Sequence, residues 1–399
     1  MKRLVWILLL SVAAAPAWAG KKITVGQLED LLHSLQQAKK TDAEIATELK
    51  QIELSEELTR STMNSLVGFV QGPLSTEQIY VLEARSADLA PPPRDLPATA
   101  APNTAEQQAM LAKASAYVTG TYHELPPLSA KKDTLRFQDN FEAVAAGSGV
   151  VGNAKDAVTS FGFSDTTSFF RYINSAETTV AIEHGVETPA TMKDKTPWGA
   201  NKMIALREPV PSLGAIFQEA RADGTIQWLR WERVGGRQVG VFSFAGSRKT
   251  PGIAVDICCF PKLTQTGVAR FYNPQSAAVI AGDEAAPGGA GGVTGNFQTS
   301  TDWRNFKADV PYHGEFFIDP ATGIVVRMIV EAELKPTDVV HQVDTRIDYA
   351  PVTVGGKPLV LPVRTIVNTE VVPNGESGAG KYSTRRTLFT SEYRNYAPQ

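Results

Sequence analysis

Apolar residues recur three and four positions apart between residues 24 and about 89. Leu28, Leu31, Leu32 and Leu35 form one stripe, the spacing of a helix with one dry face. Thr41 is placed to cap a second helix carrying Ile45, Leu49 and Ile52. Ser55 is placed to cap a third with Leu58 and Leu66, and Ser75 with Gln78 reads as a capping box ahead of Ile79 and Leu82. The pattern predicts three or four short helices. Proline then crowds the chain from Ala90-Pro91-Pro92-Pro93 to about Pro102. A residue with fixed φ and no amide donor cannot continue a helix, so 90–102 reads as a semi-extended linker. Beyond it Thr104 and Gln107 are placed to cap a helix to about Tyr122, with Met110, Leu111, Ala114 and Val118 on its apolar face.

From about Thr134 the period changes from 3.6 to 2, the alternation of half-buried strands. Glu315–Ile318 and Ile324–Glu333 flank Asp319-Pro320-Ala321-Thr322-Gly323, a turn composition. Val326, Met328 and Val330 are expected on a dry face, with Arg327, Glu331 and Glu333 on a wet one. Gly235-Gly236 and Gly355-Gly356 mark two more hairpins, because paired glycines accept the positive φ of a two-residue turn. Thr345, Ile347 and Tyr349 alternate with Asp344, Arg346 and Asp348. A helix interrupts at about 210–222, residues 287–295 read as a loop, and the last strand runs from about Ser383 to Tyr393. About ten strands joined mostly by hairpins give an α+β protein. A helical region at 20–89 and the linker at 90–102 precede a large, curved, half-barrel-like antiparallel sheet at 103–399, with helices packed on it.

The first 19 residues belong to neither part. Lys2 and Arg3, an apolar run from Leu4 to Ala15, Pro16 and the box Ala17-Trp18-Ala19 have the three-part form of a secretory signal peptide cleaved near Ala19. Cleavage predicts a periplasmic or secreted chain with no transmembrane segment left. It removes two of the 39 basic residues and none of the 42 acidic ones, moving the formal charge from −3 to −5. An acidic chain is a poor partner for nucleic acid.

Candidate chemistry is sparse. Cys258 and Cys259 are the two cysteines, and they are adjacent. In a strand they would face opposite sides. In an oxidising compartment they would be able to close a strained vicinal disulfide. Both readings stay open. Gly147-Ser148-Gly149-Val150-Val151-Gly152 spells G-x-G-x-x-G, but its Ala-rich flanks and the hairpins downstream are not those of a dinucleotide fold. No cofactor is expected. His313-Gly314-Glu315, with His341 and Asp344 downstream, supplies candidate metal ligands, yet such residues are commoner on wet strand faces, and no metal is assigned. The G-x-S-x-G elbow of a serine hydrolase is missing; a triad or carboxylate pair dispersed in sequence stays open. Trp228-Leu229-Arg230-Trp231-Glu232-Arg233 mixes aromatics and charge, as a carbohydrate- or ligand-stacking surface would, but reads rather as a strand sending its two indoles to opposite faces.

Two sets of residues carry a resemblance. Residues 24–66, with Asp42-Ala43-Glu44-Ile45-Ala46 and Glu53-Leu54-Ser55-Glu56, resemble the start of an uncharacterised family of exported bacterial proteins. So do Cys258-Cys259-Phe260-Pro261 and residues 311–366, including Phe317-Ile318-Asp319-Pro320 and Val354-Gly355-Gly356-Lys357. The resemblance implies a Gram-negative envelope setting and brings no catalytic residues. In architecture alone, the expected sheet and helices are similar to the lipoprotein-carrier fold, which implies an apolar ligand such as an acyl chain. The expectation is therefore a non-enzymatic envelope protein binding a lipid or a partner protein. The alternatives are an interaction module with a filled core and a secreted hydrolase with an unrecognised site.

Overall fold

The structure, a computed structural model, describes residues 21–70, 72–139, 170–188, 208, 210–222, 225–246, 252–261, 272–273, 278–282, 295–299, 303–371 and 385–399. The leader, the Gly147–Gly152 motif and residues 287–294 lie outside them.

Four helices come first: α1 (Val25–Gln37), α2 (Asp42–Lys50), α3 (Arg60–Leu66) and α4 (Pro73–Arg85). Thr24 and Thr41 each close a capping box, with Gln27 and Glu44 respectively. Thr41→Ala, which leaves an orphan amide at the start of α2, is expected to lower stability by about 1 kcal/mol in urea denaturation. Three expectations change here. Ile52 is not helical: it opens β2 (Ile52–Leu54), which pairs in parallel with β1 (Lys21–Ile23). The cap of α3 is Thr59, four residues after Ser55, whose hydroxyl bonds the Ile23 carbonyl instead. Helix α4 starts at Pro73, so Ser75 is already inside it; its hydroxyl binds the Asp42 carboxylate, tying α4 to α2. Leu28, Leu32, Ile45, Leu49, Leu58, Met63, Ile79 and Leu82 close a core among these elements.

The Pro-rich stretch is laid against folded structure. Arg94 makes a bidentate ion pair with Glu29 at 3.0 and 2.5 Å, and the Ala100 carbonyl accepts from the Trp231 indole at 2.8 Å. Helix α5 (Thr104–Ala116) follows, capped by Asn103 with Glu106 rather than by Thr104 with Gln107. A π-helical turn, Tyr117–Tyr122, carries it on. Helix α6 spans Leu213–Ala222.

The remaining strands are β3 (Leu128–Asp139), β4 (Phe170–Glu183), β5 (Val186–Thr188), β6 (Gln227–Val234), β7 (Arg237–Ala245), β8 (Ile253–Pro261), β9 (Tyr272–Asn273), β10 (Ala278–Gly282), β11 (Gly295–Thr299), β12 (Trp303–Val310), β13 (Tyr312–Ile318), β14 (Val325–Ala332), β15 (Val340–Val354), β16 (Lys357–Val371) and β17 (Arg385–Pro398). Ten of them form one antiparallel sheet in the order β5-β4-β3-β17-β16-β15-β14-β13-β7-β6, which does not close on itself. Strands β8 and β12 form a separate ribbon, and β9, β10 and β11 a small third sheet. The β6–β7 and β15–β16 turns carry φ of +57° and +79° at both glycine pairs, the primed turn that matches strand twist.

Both faces of the large sheet are covered. On one, α5, its π-turn and α6 bury Met110, Val118, Tyr122, Ile216 and Phe217 against Phe244, Phe316, Met328 and Ile347. The β8–β12 ribbon covers the same face further along, through Val255 and Ile257 against Val343, Val367 and Phe389. On the opposite face, Val81 and Ala84 of α4 pack on Phe137, Ile366 and Leu388. The expected wet face of the β13–β14 hairpin is therefore partly dry, and Arg327 is buried. Val326 also moves. A register shift between Phe317 and Ile318 makes it the extra residue of β14, and it packs with Val239 and Phe317 rather than with Met328 and Val330.

Candidate functional site

Polar side chains gather on the sheet at two places, one per face. On the α5 face, register does the gathering. Lys132 and Thr134 are two apart on β3 and point the same way. Their partners across the ladder on β17 are Tyr393 and Ser391, and Ser391 in turn faces Thr365 on β16. The Lys132 ammonium lies 3.0 Å from Glu187 and 2.9 Å from Glu208. The Ser391 hydroxyl donates to Glu208 at 3.0 Å, with its oxygen 2.8 Å from that of Thr134. The Thr365 hydroxyl donates to the Tyr393 oxygen at 3.1 Å, and Tyr393 donates to Glu187.

Burial opposes the charge on Lys132, but attraction from Glu208, Tyr393 and Glu187 outweighs it and holds its pKa above the ordinary lysine value. Burial, helped by the two carboxylates against Lys132, pushes the Tyr393 phenol up. Lys132 is thus a fixed ammonium and Tyr393 a fixed neutral donor. Ser391 is fully buried, and Glu208 spends its lone pairs on an ammonium and a hydroxyl. The cluster offers neither a free base nor an accessible nucleophile, which chemistry on a bound substrate would need. Beside it, Tyr122, Ile182, Glu187, Val210, Ile347, Tyr349 and Pro362 line a cavity of about 10 Å³, room for about one water molecule. Gly185 makes this corner: a Cβ there would lie 2.2 Å from the Tyr122 ring, whose hydroxyl donates to the Gly185 carbonyl at 2.9 Å.

The α4 face carries an ion network between the first helices and the sheet. The Arg346 guanidinium on β15 donates to Glu57 at 2.6 Å and to the Ala87 carbonyl at 3.1 Å. Arg327 donates to Asp348 at 2.6 Å, and Arg364 grips Glu83 of α4 at 2.5 and 2.6 Å. Arg230 joins Glu232 and Glu315. Burial disfavours the Asp348 carboxylate, but Arg327 and Arg346 outweigh it and hold its pKa far below the usual range. Burial raises Glu232 to about 7 despite Arg230, with Glu57 adding to the rise.

The residues singled out from sequence do not converge. Cys258 and Cys259 lie on β8, with the extra residue of a register shift at Cys259; their side chains are outside the described set. His313 pairs with Glu331 and Glu333 at 3.3 and 3.4 Å, while Glu315 pairs with Arg230. Among the described residues no group of three His, Cys, Asp or Glu side chains is arranged to hold a metal. Trp228 and Trp231 do not diverge. A register shift between Trp228 and Arg230 makes Leu229 the extra residue, and the two rings meet 4.8 Å apart against the α5-face core. Lys132, Glu187 and Glu208 were missed because they lie far apart in sequence. A charged residue at a dry parity of β3 was the available signal.

The fold and its two charged clusters define a mixed helix-and-strand protein built on an open ten-stranded antiparallel sheet. No family model matches the chain, and no curated protein or solved structure is similar to it. No helix among the described residues is long and apolar enough to cross a membrane.

Proposed function

We propose that this is an exported, non-enzymatic binding protein of the bacterial envelope, and that its ligand is an extended segment of a partner protein added to the sheet at β4. One observation carries the reading. Among the described residues β5 is the outer neighbour of β4 and pairs only with Ala181–Glu183, so Phe170–Val180 has no strand on that side. The Tyr172 amide donates to Glu77 of α4 at 3.1 Å, and the rest of a long edge offers its amides and carbonyls to another chain. Tyr172 on β4 and Leu135 on β3 are exposed beside it. The apolar packing of the α5 face supports a surface-binding role over a lipid-enclosing one.

A photo-crosslinking residue at Ser175, compared with one at Thr353 on β15, tests this in cells exporting the chain. A discrete protein adduct from position 175 and none from 353 is the expected result. Equal adducts from both, or none from 175, would overturn the β4 assignment. A second reading, an amphiphile seated beside Glu187 after α6 moves aside, is favoured by the cavity where the apolar core meets the Lys132 cluster. Native mass spectrometry of detergent-free protein decides it: a releasable lipid-sized mass supports the amphiphile, and a bare chain excludes it.

A further inference from the structure

Where α4 ends, three carboxylates crowd together. Glu331 on β14 and Asp344 on β15 are direct cross-strand partners, so their side chains share a face at the closest distance a sheet allows. Like charges in that position repel. The end of α4 is tied down beside them: the Ala84 carbonyl accepts from Asn368, the β16 partner of Asp344, and the Ala87 carbonyl accepts from Arg346, two residues along β15 on the same face. Asp88 follows directly and adds its repulsion to both. One Asp88 oxygen is buried with no partner among the described residues.

Among the described residues the nearby basic groups are shared or engaged elsewhere. Asp344 accepts from Gln342 on its own strand and faces Asn368 on β16. Glu331 faces His313 and Glu315 on β13; His313 is shared with Glu333, and Glu315 is taken by Arg230. Asp88 faces Arg346, Glu57 and Arg85. Arg346 is committed to Glu57, Asp348 and the Ala87 carbonyl, and Arg85 to Glu53. Two further cations of this interface, Arg327 and Arg364, are held by Asp348 with Glu57 and by Glu83.

We propose that Asp88, Glu331 and Asp344 form a proton-operated latch between the end of α4 and the sheet, closed when they share protons in mild acid and loosened when all three ionise. This does not rest on the β4 reading. The direction follows from linkage. Burial first, then Asp88 and Glu331, raises Asp344 to about 7 despite its bond from Gln342. Burial likewise raises Asp88 and Glu331. A carboxyl that binds its proton more tightly when docked stabilises docking below its unfolded value, and that stabilisation is lost as pH rises through the raised value. The window therefore runs from the ordinary aspartate value of 3.8 up to about 7. The arginine pairs do not reverse it, because Asp348 stays ionised throughout.

The test is hydrogen exchange of the full chain at pH 5.5, 6.5, 7.5 and 8.5, corrected for intrinsic rates, comparing peptides from α4 with peptides from α5. Protection of α4 is expected to fall about tenfold or more across the range, one pKa unit of linkage being tenfold, while α5 stays constant. Asp344→Asn is expected to hold α4 protected at pH 8.5. Glu331→Gln, at a half-buried position, repeats the test if the first variant folds poorly. A flat wild-type profile, parallel loss in α5, or an unchanged slope in both variants would overturn the latch. So would a slope that vanishes in His313→Gln but survives in Asp344→Asn.

Discussion

Replacing Arg346 with alanine is expected to lower the unfolding free energy by about 3–5 kcal/mol, the range for breaking one side of a buried ion pair. The guanidinium is 4 % exposed and touches Glu57, Asp348 and the Ala87 carbonyl. Its loss leaves Glu57, among the described residues, with Arg327 at 3.4 Å, and leaves the Ala87 acceptor without this donor. The loss comes mainly from stranded charge, not from the value of the pair. Arg346→Met with Glu57→Gln should therefore recover much of it, since an apolar or neutral replacement of the whole pair is often tolerated. Urea denaturation of the two single variants and the double variant reads the coupling. If Arg346→Ala changes the midpoint no more than Arg394→Ala, whose ion pairs with Asp133 and Glu177 are exposed, then the network does not hold the helices on the sheet.

The same residues explain how much was legible beforehand. The Leu28–Leu35 stripe, the glycine-pair turns and the alternation along β15 are local signals, and the structure has an element at each, whereas Ile52 falls in β2 and Leu58 ahead of α3. The caps of α3, α4 and α5 fall elsewhere because a Ser or Thr near a helix start competes with its neighbours, and the backbone path decides among them. Asp344, Arg346 and Asp348 stand out in the sequence only as the polar half of an alternation, because period two says which residues share a face, not what lies on that face. Only the arrival of Glu57 and Glu83, more than 250 residues earlier in the chain, turns that row into an interior. Register shifts are equally silent. A single extra residue at Leu229 brings together two indoles that strict alternation would separate. The Lys132 cluster combines both difficulties, since its members come from four strands of the large sheet and from Glu208, outside any strand.

Lys132→Met is the sharper probe of the α5 face. Removing the ammonium leaves Glu187 and Glu208 facing each other, side chains about one-tenth exposed, with Tyr393 donating to Glu187 and Ser391 and Thr134 to Glu208. Two carboxylates in that position cannot both stay ionised cheaply, so at least one binds a proton more tightly folded than unfolded. Stability of the variant is then fully present below the unfolded carboxylate value and lost as pH rises through the raised one. At pH 8 the loss relative to wild type is expected to be about 3–5 kcal/mol, and at pH 5 it should shrink markedly. The wild type carries no such slope from Lys132, whose raised pKa puts the loss of its own contribution well into the alkaline range. Lys131→Met is the control. That neighbouring side chain points to the other face and pairs with Glu177 in solvent, where an ion pair contributes at most about 1 kcal/mol. A loss at Lys132 equal at pH 5 and pH 8 would mean that the methionine repacks the site and the carboxylates find water. The buried ammonium would then be dispensable for holding β3, β5 and β17 together.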